Sequence, residues 1–208
     1  MKRCVIIGGA KIGNYEFVRS YLKNDDFFVY CDSGLYHMEE LREDPDLVVG
    51  DFDSHPHPHL SAETITLPCE KDDTDTVFAV KETVSRGFSD FLLIGVTGGR
   101  IDHTLGNLSI LLFLDSLKKT AVIVDDYSEM EIVSSSAAFV SDSFLYFSLL
   151  NISGTAKGIC VEHAKYPLHD AEITCEFQYG ISNEVLPGET AKISVREGRM
   201  LLIKIAAE

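Results

Sequence analysis

Short, uninterrupted apolar runs alternate with stretches of helical periodicity over the first 125 residues. Runs without polar interruption indicate strands that are buried on both faces, as in a parallel sheet. The runs are Val5–Ile7, Phe27–Cys31, Leu47–Val49, Thr64–Leu67, Phe91–Ile94 and Ala121–Val124. The intervening segments Phe17–Leu22, Thr76–Ser85 and Ile101–Leu117 space their apolar residues as helices do. This order predicts a three-layer α/β domain with a parallel sheet over residues 1–125.

The pattern changes after residue 125. Apolar and polar residues now alternate in short segments, and Asn, Gly and Pro residues separate them, which is typical of antiparallel sheets. The segments are Met130–Val133, Phe144–Phe147, Gly158–Val161, Ala191–Val195 and Met200–Ile205. We therefore expect a small antiparallel β-sandwich domain over residues 126–208. Within it, Tyr166–Leu168 and Gly180–Glu184 are expected to be turns.

The charge of the chain limits its partners. Hydrophobic residues make up 45% of the 208 residues and charged residues 25%, which excludes a disordered chain. The formal net charge is −15, with 12 basic against 21 acidic residues up to Asp125 and 6 against 12 after it. Because such a surface repels phosphates throughout, we expect no nucleic-acid partner. An anionic ligand would need a cation to bridge it to the protein.

No segment of the chain predicts a membrane or export signal. The apolar runs are far shorter than the roughly 18 residues of a membrane helix, and the first is too short for a signal peptide. The five cysteines are an odd number without a C-x-x-C pair, and four of them lie in apolar stretches, namely Cys4, Cys31, Cys160 and Cys175. We expect buried free thiols in a cytoplasmic protein rather than disulfides or a zinc site.

Acidic residues follow several of the predicted strands. Ligands of open α/β sheets bind beyond the carboxyl ends of the strands. Asp51 and Asp53 come directly after the Leu47–Val49 run, and Asp75 lies near the start of the next helix. Carboxylates that converge repel one another unless a cation joins them, and oxygen ligands suit Mg²⁺. The sequence thus predicts a magnesium site; the alternative is that these residues only cap a turn and a helix.

A second polar cluster follows the Phe91–Ile94 run. The segment Gly98–Arg100 is predicted to turn from strand to helix, with backbone amides and a cation that suit an anion. A simple turn with a surface arginine is the alternative. His103 and Asn107, four residues apart, share a face of the helix that follows. The prolines of His55–His59 predict an exposed loop rather than a metal site.

Five motifs occur in order along nearly the whole chain: Asp32–Gly34, Gly50–Ser54, Lys71–Asp75, Thr97–Leu108 and Gly180–Glu184. As a set they resemble the thiamin pyrophosphokinase family. The resemblance implies an α/β nucleotide-binding domain followed by a β-sandwich that binds thiamin. It implies transfer of pyrophosphate from ATP to the hydroxyl of thiamin, which gives thiamin diphosphate and AMP. It also implies a homodimer with thiamin bound between the subunits.

The same resemblance implies roles for individual residues. The Mg²⁺ ligands, which are also the catalytic residues, would be Asp51, Asp53 and Asp75. The ATP contacts would come from Asp32, Ser33, Gly34, Lys71, Asp72, Thr97, Gly98, Gly99, Arg100 and His103. The thiamin contacts would come from Asp102 and Asn107 and, from the other subunit, Ser182 and Asn183. The chain has no tryptophan, and Tyr166 is our candidate for the aromatic residue that stacks on thiamin.

Three other functions fit the same residues. A pyrophosphokinase of this fold could act on another hydroxymethyl heterocycle such as a pterin. A protein that senses thiamin or a nucleotide could keep the site without catalysis. A plain two-domain interaction protein would bind neither.

Overall fold

The structure is a computed structural model that describes residues 2–52, 61–70 and 72–206. The chain has a mixed α/β fold with a large sheet and a second, antiparallel sheet. It divides into two compact units, Met1–Asp126 and Tyr127–Glu208. Among the described residues, no helix is both long enough and apolar enough to cross a membrane.

The first unit carries a parallel sheet. Its strands are β1 (Cys4–Ile7), β2 (Phe27–Cys31), β3 (Leu47–Gly50), β4 (Glu63–Thr66), β5 (Asp90–Ile94) and β6 (Thr120–Val124). They lie in the order β6-β5-β1-β2-β3-β4, and every neighbouring pair is parallel. All six strands were predicted from the apolar runs.

Helices connect these strands. They are α1 (Tyr15–Arg19), α2 (Met38–Leu41), α3 (Asp75–Ser85) and α4 (Ile101–Ser116), together with a 3₁₀ helix over Asp32–His37. The periodicity of the sequence predicted α1, α3 and α4. It did not predict α2 or the 3₁₀ helix, which are too short to repeat a pattern. The Thr74 hydroxyl caps α3 by accepting a hydrogen bond from the Val77 amide at 3.3 Å.

Both faces of the inner strands of this sheet are covered, which explains why β1, β2 and β3 lack polar interruptions. Val5 and Ile7 of β1 pack with Val18 and Tyr30 in one core cluster. Cys4 points to the other face, where its thiol contacts Thr83 of α3. Burial raises the pKa of the Cys4 thiol to about 12, so this cysteine is an inert part of the core.

The second unit is built of antiparallel strands. They are β7 (Ser128–Val133), β8 (Ala138–Ser141), β9 (Tyr146–Leu150), β10 (Thr155–Glu162), β11 (Leu168–Thr174), β12 (Gly180–Asn183), β13 (Thr190–Ser194) and β14 (Met200–Ile205). Two sets form, in the orders β12-β9-β14-β7 and β11-β10-β13-β8. Buried residues of both sets share one core cluster, for example Phe147 of β9 and Ile159 of β10.

Two expectations for the second unit were wrong. Gly180–Asn183 is not a turn but strand β12, which pairs with β9 through an irregular register. Its glycine packs closely there, since an added Cβ at Gly180 would lie 2.8 Å from the Leu149 carbonyl oxygen. Cys175 is exposed rather than buried, because it lies in the turn that follows β11.

Candidate active site

Glycines bring the carboxyl ends of three strands of the first unit into close contact. A Cβ added to Gly9, after β1, would lie 1.9 Å from the Ser33 hydroxyl, which follows β2. A Cβ added to Gly34 would lie 2.3 Å from the Ile7 carbonyl oxygen. Gly95 follows β5 with a φ of 61°, and its carbonyl accepts a hydrogen bond from the Ala10 amide at 2.8 Å. Larger residues would push these segments apart.

Asp32 lies beside the segment that carries Asp51. An added Cβ at Gly50 would lie 3.1 Å from both Cα and Cβ of Asp32. Asp32 is buried and adopts a left-handed φ of 39°, a conformation uncommon outside glycine. Asp51, half-buried, follows Gly50 directly. The structure therefore brings Asp32 and the Asp51 segment together at this edge of the sheet.

Asp75 joins the same region from α3. The pKa of the Cys31 thiol is raised chiefly by burial and next by the negative charge of Asp75, with a smaller effect of Asp32. Both carboxylates thus lie close to the end of β2. One oxygen of each, Oδ1, is shielded from solvent. Asp75 also lies in the first turn of α3, where the helix dipole favours a negative charge.

These carboxylates suit a hard cation. Asp51 and Asp75 carry carboxylate oxygens, the type of ligand that Mg²⁺ prefers, and Oδ1 of Asp75 is shielded from solvent. Asp53 and Lys71, two of the predicted site residues, lie outside the described residues, as does the His55–His59 loop. Within residues 2–52, 61–70 and 72–206, no group of three or more His, Cys, Asp and Glu side chains is arranged to hold a metal.

The Gly98–Arg100 turn precedes α4. Gly98 and Gly99 have φ values of 90° and 61°, and an added Cβ would meet nothing within 4 Å at either position. The Gly98 amide donates to the Thr104 hydroxyl at 3.0 Å. Thr104 is thus the partner of this amide in the structure. The hydrogen bond ties the turn to the first turn of the helix.

Arg100 forms an ion pair with Asp102. The guanidinium donates two hydrogen bonds to the carboxylate, at 2.5 and 3.2 Å, and both side chains are mostly exposed. Hydrogen bonding from Arg100 lowers the pKa of Asp102 to about 2, so this carboxylate is ionised at neutral pH. The two predicted ligands of different substrates thus lie in direct contact.

The remaining predicted residues of this unit differ in exposure. His103 and Asp72 are exposed, and Thr97 is half-buried. Asn107 is buried, and its side-chain amide donates to the Val96 carbonyl at 2.7 Å. Asn107 therefore fixes the loop that leads into the Gly98–Arg100 turn. His103 lies at the exposed start of α4, one turn before Asn107.

In the second unit, Asn183 holds the main chain of Tyr166. Its Oδ1 accepts from the Tyr166 amide at 3.0 Å, and its Nδ2 donates to the Tyr166 carbonyl at 2.8 Å. Ser182 is exposed and has a left-handed φ of 55°. A small cavity borders this region, lined by apolar and aromatic side chains that include Phe147, Tyr166 and Tyr179.

Sequence reasoning missed two residues that build the site. Asp126 accepts hydrogen bonds from the amides of Gly13 and Asn14, at 2.8 and 3.0 Å, and so fixes the loop after β1. His37 is buried and contacts Ala10 in the same loop. Asp126 could have been noticed because an acidic pair follows the Ala121–Val124 run. No sequence signal distinguishes His37.

Known proteins resemble this chain along nearly its full length. The family model described as thiamin pyrophosphokinase, catalytic domain, matches residues 18–124, and that described as thiamin pyrophosphokinase, vitamin B1 binding domain, matches residues 133–200. The thiamine pyrophosphokinase of Bacillus subtilis (strain 168) is 23% identical over 212 residues, which cover 98% of this chain and 99% of the relative.

Solved structures share the fold. A crystal structure of thiamine pyrophosphokinase from Bacillus subtilis matches with a TM-score of 0.87 at 21% identity and covers both chains fully. That of thiamin pyrophosphokinase from Geobacillus thermodenitrificans matches with a TM-score of 0.84 at 27% identity, over 99% of this chain and 98% of the other.

Proposed function

Because the chain belongs to the thiamin pyrophosphokinase family, we propose that it transfers pyrophosphate from ATP to the hydroxyl of thiamin, with release of AMP. One observation carries the proposal. Asp32 lies beside Gly50, the residue before Asp51, and Asp75 and Asp32 both lie near the end of β2, at the carboxyl edge of the parallel sheet, where ligands of such sheets bind. In a chain with a net charge of −15, an anionic nucleotide needs a cation at that edge.

We infer that Asp51 and Asp75, together with Asp53, hold Mg²⁺ and are the catalytic residues. The ion, when bound, withdraws charge from the phosphate oxygens and makes the β-phosphorus easier to attack. Asp32 and the glycines around Ser33 and Gly34 shape the wall against which the nucleotide lies. Close contacts at Gly9 and Gly34 hold the segments after β1 and β2 together there.

The proposed reaction forms one bond to the β-phosphorus and breaks another. The thiamin hydroxyl oxygen forms a bond to the β-phosphorus of ATP, and the bond from that phosphorus to the α,β-bridging oxygen breaks. AMP leaves with the electron pair of the broken bond. A carboxylate at the sheet edge accepts the hydroxyl proton, which then passes to solvent. The protein mainly aligns the two substrates and supplies fixed charge, which is the larger part of catalysis in phosphoryl transfer.

The turn before α4 and the first turn of α4 supply candidate contacts for both substrates. We propose that Lys71, Thr97, Arg100 and the Gly98–Gly99 turn contact the triphosphate, with Asp72 and His103 beside them. Asp102, ionised at neutral pH, accepts hydrogen bonds from the amino group of the thiamin pyrimidine. Asn107 acts by fixing the loop that leads into the Gly98–Arg100 turn, since its side-chain amide donates a hydrogen bond to the Val96 carbonyl.

We propose that the active protein is a homodimer whose partner completes the thiamin site. Apolar side chains of α4 that normally avoid water are exposed, for example Ile101 at 70% and Leu105 at 59%. On the second unit, Tyr166 and Ile181 are exposed at 58% each beside Ser182. These surfaces support contact with a second copy, in which Ser182 touches thiamin and Asn183 holds Tyr166 against it.

The finer architecture follows the same proposal. We infer a three-layer first domain that binds ATP and Mg²⁺, since side chains of both sheet faces are buried. The second domain is inferred to be a β-sandwich that binds thiamin, since its two strand sets share a core. Cytoplasmic location is proposed with it, in keeping with five free cysteines.

Product analysis tests the function. The purified protein is incubated with Mg-ATP and either thiamin or a hydroxymethyl pterin, and the products are separated by chromatography. We expect AMP and thiamin diphosphate with thiamin only. AMP with the pterin would favour the other pyrophosphokinase. Tight binding of thiamin without turnover, across several divalent ions, would favour the sensor. With neither binding nor turnover, the chain would be an interaction protein. Binding of Mg-ATP is read from thermal unfolding, because free Mg-ATP at 100 times its Kd should stabilise the fold by roughly 2.7 kcal/mol.

A further inference from the structure

A buried histidine joins the two segments that line the sheet edge. His37 is only 6% exposed, and both of its ring nitrogens have partners. Its Nε2 lies 3.0 Å from the Ala10 carbonyl oxygen, and its Nδ1 lies 2.7 Å from the Tyr15 hydroxyl. Ala10 belongs to the loop after β1 and Tyr15 begins α1, whereas His37 ends the 3₁₀ helix after β2.

The hydrogen bonds fix the state of the ring. A carbonyl oxygen can only accept, so Nε2 carries the proton and its N–H donates a hydrogen bond to the Ala10 carbonyl oxygen. In the neutral ring Nδ1 then accepts from the Tyr15 hydroxyl. Burial lowers the pKa of His37, which keeps the ring neutral at pH 7. The neutral ring therefore satisfies one donor and one acceptor on two different segments.

These segments determine where Asp32 lies. Asp32 is the first residue of the 3₁₀ helix and His37 is its last. Gly9 packs against Ser33, and Gly34 packs against the Ile7 carbonyl, within the same contact. The glycines allow these segments to pack closely, but a contact at a glycine Cα supplies no hydrogen bond. His37 supplies two directional contacts from the 3₁₀ helix, one to Ala10 in the loop after β1 and one to Tyr15 at the start of α1.

We propose that His37 is a positioning residue for the active site. By bonding Ala10 and Tyr15, it holds the 3₁₀ helix in register, so that the Asp32 carboxylate stays beside the segment of Asp51. The inference rests on the proposed function. A histidine that served only the core would act on stability alone, whereas a positioning residue also changes how the site holds a cation and reacts.

Two variants separate these roles. His37→Leu fills a similar volume and loses both hydrogen bonds, whereas His37→Gln keeps an N–H that can reach Ala10. His169→Leu is the matched control, because His169 is exposed on the second unit. Circular dichroism and thermal melting first establish that each variant is folded at the assay temperature. Tyr15→Phe then removes the hydroxyl that Nδ1 accepts from, without touching the histidine.

Two readouts are measured on the folded variants: Mn²⁺ binding by electron paramagnetic resonance, without substrates, and kcat with KM for ATP. We expect His37→Leu to weaken Mn²⁺ binding about fivefold or more and to lower kcat about tenfold or more, as expected for a displaced site. His37→Gln should recover most of both losses, Tyr15→Phe should lose a smaller part, and His169→Leu should match the wild type.

Wild-type Mn²⁺ affinity and kcat in folded His37→Leu would overturn the proposal, as would equal losses in the Gln and Leu variants. A wild-type protein that binds Mn²⁺ but forms no AMP would refute the proposed function, and the Mn²⁺ affinities would still decide the role of His37. A wild type that neither binds Mn²⁺ nor forms AMP would overturn both, whereas in a wild type that forms AMP without binding free Mn²⁺ the kcat values decide the role of His37.

Discussion

Asn183 and Tyr166 are joined by a pair of hydrogen bonds that mimics a backbone pairing. The Asn183 side chain accepts from the Tyr166 amide at 3.0 Å and donates to its carbonyl at 2.8 Å. The same Oδ1 also accepts from the Glu184 amide at 2.9 Å. With these atoms engaged, Asn183 determines where Tyr166 lies, and the Tyr166 ring remains 58% exposed for a ligand or a partner.

Asn183→Ala should destabilise the protein by about 1–3 kcal/mol, because two main-chain groups of Tyr166 lose their partner. Urea denaturation measures the change. Ser182→Ala is the control, since the hydrogen bond from Ser182 to Ser148 comes from the main chain and is retained; its effect should stay within about 0.5 kcal/mol. Equal effects of the two substitutions would show that Asn183 does not hold Tyr166.

Replacement of glycine by alanine should have opposite effects on stability at Gly34 and at Gly106. In Gly34→Ala the new methyl group would lie 2.3 Å from the Ile7 carbonyl oxygen, so unfolding should become easier by roughly 1–3 kcal/mol or more. In Gly106→Ala, within α4, the methyl group meets nothing within 4 Å. This change should stabilise by roughly 0.5–1 kcal/mol. Denaturant titration of both variants gives the comparison; similar signs would refute the packing described.

Lys204 of β14 forms ion pairs with Glu129 and Glu131 of β7, the latter at 2.7 Å. The lysine side chain is only 10% exposed. Lys204→Met would leave two acidic groups without their cation, and we expect a loss of about 3–5 kcal/mol in urea denaturation.

Lys192→Met provides the control for Lys204→Met, because the pair of Lys192 with Glu162 is long, at 3.7 Å, and half-exposed. This change should cost at most about 1 kcal/mol. Should both variants unfold at the same urea concentration, the buried pair contributes no more than a surface one.

The buried His37 predicts a pH dependence of stability. Its pKa in the folded protein is lowered from 6.5, chiefly by burial, so the unfolded chain takes up the proton at higher pH. The free energy of unfolding should therefore decrease as the pH falls from about 6.5, the pKa of the unfolded chain, to the lower pKa of the folded protein. Urea denaturation at pH 7.5, 6.0 and 5.0 should show a shallower decline in His37→Gln than in the wild type. Parallel declines would mean that His37 does not titrate differently on folding.

Much of the first unit follows from its sequence, since a strand buried on both faces has no polar position to obscure it. Val5–Ile7 and Leu47–Val49 are examples, with every residue buried. Strand β12 was missed because Gly180 and Asn183 are turn formers, and an irregular main-chain pairing with β9 overrides that preference. The 3₁₀ helix was missed because six residues carry no measurable period.

For the candidate site, the sequence predicted which types of residue occur there but not which atoms they contact. Acidic residues after buried strands pointed to the sheet edge, where Asp32 indeed lies beside Gly50. The bonding of individual side chains was not predictable. Sequence spacing does not reveal that Asn107 bonds the Val96 carbonyl, or that Arg100 and Asp102 pair with each other. Such choices depend on rotamers that only the folded chain defines.

The central claim is that carboxylates at the sheet edge hold a divalent ion that presents ATP to thiamin. The rate of AMP formation with saturating thiamin and Mg-ATP, compared between the wild type and Asp51→Asn, tests it most directly. We predict that the wild type forms one AMP per thiamin diphosphate, and that folded Asp51→Asn loses about 100-fold or more of that rate. ADP as the wild-type product, or near-normal turnover in Asp51→Asn, would contradict the claim.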